Sequence, residues 1–171
     1  MDNQIIIAID AMGGENAPSK NIEGISIFLK RNRNKKDFFF NIYGDETLII
    51  KEIKKYKITT NFYKIFHCST VVSDEETPLT AIKNSKDSSM WNSINSQTIF
   101  NSNITLSAGN TGVLFVVSRM LLKTIDSVSK PALAGLWPNK KNMNVVLDLG
   151  ANVECDENNL VDFSEMGSAL Y

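Results

Sequence analysis

The order of elements constrains this chain more than any single motif. Residues 4 to 10, "QIIIAID", form a nearly continuous β-branched run ending at Asp10, as expected of a strand covered on both faces of a parallel sheet. A Gly13-Gly14 loop follows. In "APSKNIEGISIFLKR", Pro18 suits a first helical turn, and Ile22, Ile25, Phe28 and Leu29 fall on one helical face. The pattern then recurs, with "FFFNIYG" as a strand, "DETLIIKEIKKY" as a helix with acidic residues in its first turn, and "NFYKIFH" as a third strand.

After the acidic loop "SDEETP", the spacing predicts helices at "TPLTAIKNS" and "SSMWNSINSQTIF", a strand at "NITLS" and a helix beginning at "NTGVLFVVSRMLLK". Two more apolar stretches, "PALAGLW" and "NVVLDLG", precede a helix from about Asn158 to Tyr171. Such alternation implies an α/β sandwich with a mostly parallel sheet between helical layers. In such folds ligands lie beyond the carboxyl ends of the strands. Functional weight therefore falls on "DAMGGENAP", "YGDE", "HCSTVVSDEETP", "SAGNTG" and "DLGANVE".

At 171 residues the chain is expected to form one domain over residues 1 to 171. Its net charge of -1 argues against a dominating polyanion-binding surface, so no nucleic-acid partner is expected. "MDNQIIIAID" is too short an apolar run, with too acidic a start, for a signal peptide, and no segment reaches membrane-spanning length. A cytoplasmic location is expected. Cys68 and Cys155 belong to no CxxC pair and read as free thiols. His67 is the only histidine and adjoins Cys68, so a thiol-protease pair and a His-rich metal site are both unexpected, and His67 reads as structural. No metal is expected.

In "SAGNTGVLF", Gly109 and Gly112 allow a tight turn and close backbone approach to a ligand, while Asn110 or Thr111 can cap the following helix. The free N–H groups of such a helix end suit phosphate or carboxylate. An unliganded strand-to-helix turn is the simpler local reading. "IDAMGGENAP" offers Asp10 at a strand end and Gly13-Gly14 before a helix, but it is neither GxGxxG nor a P-loop; it is a turn capped by Asn16 or a second wall of an anion site. "LDLGANVE" carries Asp148 and Asn152, which could hold a loop, bind a metal or orient a substrate, the first being commonest. "KDSSM" sets Lys86 beside Ser88 and Ser89 at a helix start, for capping or for an anion. The basic run "KRNRNKK" reads as a solvated helix end.

Together and in order, "DAMGGENAP", "YGD", "TPLTAIKNSKDSSM", "SAGNTG", "KPALAGLWP", "LDLGANVE" and "MGSALY" resemble the bacterial phosphate acyltransferase family of the PlsX type. That resemblance implies a fold similar to the isocitrate and isopropylmalate dehydrogenases, a homodimer, and a place at the start of phospholipid synthesis. It implies formation of acyl-phosphate from acyl-[acyl-carrier-protein] and inorganic phosphate, without a cofactor, and it allows peripheral association with a membrane. Phosphate is itself the nucleophile and thiolate leaves readily, so a Ser-His-Asp set is unnecessary. Carried onto this sequence, Gly109, Asn110, Thr111 and Gly112 would supply anion and oxyanion donors, with Asp10, Gly13 and Gly14 as an adjoining wall. Lys86, Ser88 and Ser89 would supply charge and hydroxyls, and Asp148 and Asn152 would orient groups across the cleft.

The sequence departs from the family at Glu15, where Asp is usual, and at Lys83-Asn84-Ser85, where the family is more basic. It resembles only about the first half of the family pattern, and Tyr171 falls within an apolar helical stretch, as if cut. Two readings therefore stand: an acyltransferase, or a catalytically inactive remnant or interaction module of the same fold. A nicotinamide-dependent dehydrogenase is a third and weaker reading, for want of a dinucleotide fingerprint.

Overall fold

The computed structural model describes residues 4–32, 37–73, 75–77, 80, 83, 85–100 and 102–171. Arg33 to Lys36 of the basic run, and Pro78, Leu79, Ala81, Ile82 and Asn84 of the helix expected at "TPLTAIKNS", lie outside the described residues. The chain divides into two compact units, Met1–Leu122 and Lys123–Tyr171.

The first unit is built from β1 (Ile5–Asp10), α1 (Ser19–Arg31), β2 (Phe38–Gly44), α2 (Glu46–Tyr56), a 3-10 turn (Thr60–Phe62), β3 (Tyr63–His67), α3 (Ser89–Ile99), β4 (Ile104–Leu106) and α4 (Thr111–Leu121). Its strands form one sheet in the order β3-β2-β1-β4, and all three pairings are parallel. The α/β reading with a parallel sheet is thus what the chain adopts.

Period-two alternation along the strands sorts side chains into two cores. Ile7, Ile9, Phe40 and Ile42 meet Ile22 and Ile25 of α1 and Ile49 and Ile53 of α2. Phe28 and Leu29 extend that contact, so the face expected of the first helix is the one buried. Each fully buried isoleucine contributes on the order of 1.5–3 kcal/mol. On the opposite face Ala8, Tyr43 and Cys68 cluster, and Met90 and Ile94 of α3 pack with Val113 and Val117 of α4. Ser89, Ser93 and Ser96 are the buried small residues of α3. Ser93 O accepts from Thr105 Oγ1 at 3.0 Å, which ties α3 to β4.

The helix ends follow their local chemistry. Asp45 caps α2 by accepting from Leu48 N at 3.0 Å, and Ser88 caps α3 by accepting from Trp91 N at 3.1 Å. Asn16 does not cap α1 through its side chain. It takes a left-handed φ of 60°, Pro18 holds the cap position, and the carbonyl of Asn16 accepts from Lys20 N instead.

The second unit comprises β5 (Ala134–Pro138), β6 (Met143–Leu147) and α5 (Glu157–Leu170). Its strands pair antiparallel as a separate two-stranded sheet. Four residues join them, too few for the crossover a parallel pair needs. Asn139 closes that turn, its Oδ1 accepting from Lys141 N at 2.8 Å and from Asn142 N at 2.7 Å. α5 begins with a capping box in which Asp156 accepts from Asn159 N at 2.9 Å and Asn159 Oδ1 accepts from Asp156 N at 3.2 Å.

Candidate functional site

The strand order creates one position of special interest in the first unit. From β1 the chain crosses through α1 to β2 and on to β3, then returns to pair β4 with the other side of β1. The reversal makes the β1–β4 boundary a topological switch point, the place at which open α/β sheets bind their ligands beyond the strand ends. The two loops there are residues 11–18 after β1 and residues 107–110 after β4, which are the stretches "AMGGENAP" and "SAGN".

These loops are locked together by a short polar relay. Ser107 Oγ donates to Asp10 Oδ2 at 2.7 Å and accepts from Gly109 N at 3.1 Å. The other carboxylate oxygen of Asp10 accepts from Met12 N at 3.3 Å. Asp10 is only 2% exposed, so its carboxylate is devoted to holding its own loop and the loop after β4 in register. Asn21 of α1 fixes the first loop from the other side, its Nδ2 donating to Ala11 O at 2.9 Å and Gly13 O at 3.0 Å.

The glycines owe their identity to this packing. A Cβ on Gly13 would stand 2.6 Å from Asp10 Oδ2 and 2.8 Å from Gly109 N. Gly14 has a φ of +87°, and a Cβ there would meet Ala108 O at 2.8 Å. The wall expected of Gly13 and Gly14 therefore faces the neighbouring loop, backbone against backbone.

Asn110 is the N-cap of α4, its Oδ1 accepting from Val113 N at 3.1 Å. Its Nδ2 donates to Glu76 O at 3.0 Å, which ties the loop after β4 to the acidic loop after β3. A Cβ on Gly109 would meet Met90 Cε at 2.9 Å, so the first turn of α3 also abuts this point. Loops after three strands thus converge on Gly109 and Asn110. Beyond them Thr111 and Gly112 are exposed in the first turn of α4, where backbone N–H groups have no intrahelical partner and the turn itself carries no acidic residue.

The other expected residues sort differently. Ser88 is fully buried and spends its hydroxyl on the α3 cap. Its N–H donates to Ser85 O and that of Ser89 to Thr70 O, whereas the buried hydroxyls of Ser85 and Ser89 have no hydrogen-bond partner among the described residues. Lys86 is exposed. His67 Nδ1 accepts from Glu46 N at 3.3 Å, a structural contact at the start of α2. Cys68 is buried, and burial pushes its thiol pKa up, against the hydrogen bond from Asn92.

Asp148 and Asn152 belong to the second unit, and there they hold a loop. Asp148 Oδ1 accepts from Asn152 N at 3.2 Å and from Asn152 Nδ2 at 3.0 Å, while that same amide donates to Pro131 O at 2.9 Å. The Asn152 amide holds the Asp148 carboxyl below the usual carboxylate range. Cys155 Sγ donates to Asp148 Oδ2 at 3.4 Å, and although Cys155 is exposed, local desolvation and then that carboxylate push its thiol up.

Ser107 and Asn21 were not singled out from the sequence. A hydroxyl opening "SAGN" and an Asn near the start of an amphipathic helix are common features, and their partners become evident only when the loops are adjacent. Among the described residues no group of three or more His, Cys, Asp or Glu could hold a metal ion. No helix among them is long and apolar enough to cross a membrane.

Residues 5–171 match the model of a family described as "Fatty acid synthesis protein". A phosphate acyltransferase of Pelagibacter ubique (strain HTCC1062) is 48% identical over 171 residues, covering 100% of this chain and 50% of that protein. Phosphate acyltransferases of Wolbachia pipientis subsp. Culex pipiens (39% identical) and Rhodospirillum rubrum (36%) cover 98% and 99% of this chain, and 49% and 48% of their own lengths is matched. The chain spans about half the length of the curated relatives it matches.

Proposed function

The chain belongs to the fatty acid synthesis protein family, and from that premise we propose that the loops at the β1–β4 boundary contribute to an acyltransferase site forming acyl-phosphate from acyl-[acyl-carrier-protein] and inorganic phosphate. The observation that carries this reading is the convergence of the two glycine loops at the switch point, beneath the exposed first turn of α4.

In this reaction a phosphate oxygen attacks the thioester carbonyl, the carbonyl oxygen gains negative charge, and the carbonyl–sulfur bond breaks to release a thiolate. Phosphate and the developing oxyanion both need donors fixed in advance. The backbone N–H groups of Thr111 and Gly112, with the Thr111 hydroxyl, are the donors this chain offers there. Asn110 is a positioning residue, since its side chain is committed to Val113 N and Glu76 O. Asp10 and Ser107 hold the strand ends that carry these groups. Gly13, Gly14 and Gly109 permit the close loop contact, and exposed Lys86 offers a cation for phosphate or carrier. Ser88 caps α3, the buried Ser89 hydroxyl beside it has no hydrogen-bond partner among the described residues, and Asp148 and Asn152 support the loop of the second unit.

The test incubates the purified chain with acyl-[acyl-carrier-protein] and phosphate and traps acyl-phosphate with hydroxylamine, with a solution mass measured alongside. Phosphate-dependent hydroxamate that disappears in Thr111→Ala supports the reading; product formation unaffected by Thr111→Ala overturns these donor assignments.

A second reading, a non-catalytic module of the same fold, is favoured by the exposed apolar residues on β4. A folded chain without turnover is its signature.

A further inference from the structure

Two buried hydroxyls stand unused at the start of α3. Ser85 and Ser89 are each 1% exposed, and neither Oγ has a hydrogen-bond partner among the described residues. Ser88 lies between them, and its hydroxyl is already spent on the cap. Ser88 N donates to Ser85 O at 3.0 Å, which folds Ser85 back beside that cap. Buried hydroxyls ordinarily find a partner, so two without one at a single helix end call for a ligand that accepts from both. Lys86 and Asp87, in the turn between them, are both exposed and offset each other's charge.

This helix start has a neighbour of the same kind. Met90 and Ile94 of α3 pack with Val113 and Val117 of α4, and a Cβ on Gly109 would meet Met90 Cε at 2.9 Å. Ser89 N donates to Thr70 O in the loop after β3, and α4 is entered from the loop after β4, so both helices begin at the carboxyl edge of the sheet. Two helix N-termini therefore lie side by side, and neither first turn carries an acidic residue. Packed helices lie about 8–10 Å apart. That is the width of one tetrahedral oxyanion with a hydrogen bond of about 2.8 Å on either side. Each N-terminus carries roughly half a positive charge, so the pair suits a dianion.

We propose that the two helix starts clamp a single inorganic phosphate, with the Ser85 and Ser89 hydroxyls donating from the α3 side and the Thr111 and Gly112 N–H groups from the α4 side. The proposal rests on the acyltransferase reading only for the role of that phosphate as nucleophile. The serines would then fix it on one side with groups withdrawn from bulk water, which need not reorganise as the phosphate attacks.

The purified chain is titrated with inorganic phosphate in the absence of acyl carrier protein, with binding read by calorimetry and by thermal melting. Phosphate is expected to raise the melting temperature of the parent. Ser85→Ala and Ser89→Ala each remove a hydroxyl that no described group of the protein uses, so in phosphate-free buffer both should melt at or above the parent temperature. Each should weaken phosphate at least about tenfold, because a hydrogen bond to a charged acceptor is lost. Since binding is read without turnover, a chain that holds phosphate through these serines yet makes no acyl-phosphate upholds the clamp and removes only the acyltransferase reading. Phosphopantetheine is the competing probe, because its phosphate is the other one such a carrier brings. Stabilisation by phosphopantetheine but not by inorganic phosphate overturns the proposal. So does an absence of phosphate binding, or phosphate binding indifferent to both serines. Alanine variants that melt below the parent in phosphate-free buffer would also overturn it, since the hydroxyls would then serve the fold.

Discussion

Ser107 Oγ lies 2.7 Å from Asp10 Oδ2, joining residues 97 positions apart at the ends of two neighbouring parallel strands. The hydroxyl also accepts from Gly109 N, so one serine links a buried carboxylate to the loop that leads into α4. Ser107→Ala removes the donor and leaves Asp10 Oδ2 without it. A loss of about 1–3 kcal/mol is expected, read as a lower urea midpoint with an unchanged slope; a midpoint within error of the parent refutes the relay.

Gly13 and Gly24 should respond oppositely to alanine. At Gly13 the new Cβ would strike Asp10 Oδ2, Gly109 N and Ser107 Oγ, two of which are anchored by the relay and one of which is backbone. A cost of about 1–3 kcal/mol or more is expected there. At Gly24, within α1, nothing lies within 4 Å, so alanine should stabilise by up to about 1 kcal/mol through helix propensity. Thermal melts of the two variants of the isolated chain give the signs directly.

The two jobs of Asn110 can be separated. Asn110→Asp keeps a carboxylate oxygen for Val113 N but cannot donate to Glu76 O, whereas Asn110→Ala loses both. Alanine should cost about 0.5–2 kcal/mol for the cap alone. Hydrogen exchange should show both substitutions loosening residues 75–77, and only alanine exposing the first turn of α4. Equal exposure of that turn in both variants would mean that the cap is unimportant.

The thiols should alkylate slowly and in a fixed order. Desolvation raises both pKa values, with the Asp148 carboxylate adding to the rise at Cys155, but Cys68 is buried while Cys155 is exposed, so Cys155 should react first with iodoacetamide. Asp148→Asn removes the carboxylate that accepts the Cys155 proton, and should move the pH midpoint of its alkylation downward. Peptide mass spectrometry across pH 7 to pH 10, roughly bracketing an ordinary thiol pKa, reads both effects.

Acid should loosen the second unit through Asp148. Its carboxyl pKa lies below the ordinary value in the folded chain, so its hydrogen bonds with Asn152 contribute stability at neutral pH. That contribution is lost as pH falls from the unfolded value of about 3.9 through the lower folded one. Exchange protection of residues 148–155 should fall across that interval in the parent and be flat in Asp148→Asn; parallel curves would place the acid sensitivity elsewhere.

Much of the fold was legible because its signals are local. The β-branched run at 5–10, the buried face of α1 and the acid-capped start of α2 each follow from side chains within a few residues of one another. The hairpin β5–β6 was legible too, in the short connector "NKKN", but the preceding strand-helix rhythm masked it. The site was legible only as a set of loops. Pro18 marked the start of α1, but nothing near Asn16 reveals its left-handed backbone, and nothing near Ser107 reveals Asp10 as its partner.

The sequence by itself determined which segments are strands and helices, which faces are apolar, and which loops carry glycine and short polar groups, since these depend on backbone sterics and on periodicity along the chain. Only the tertiary structure decided that β4 returns to the far side of β1, because strand order depends on contacts between residues distant in sequence. That placement makes the β1–β4 boundary a switch point, sets Gly13 against Gly109, and gives Asp10 its serine. It also leaves Ile104 and Leu106 bare, since an apolar side chain is exposed or covered according to what packs on it.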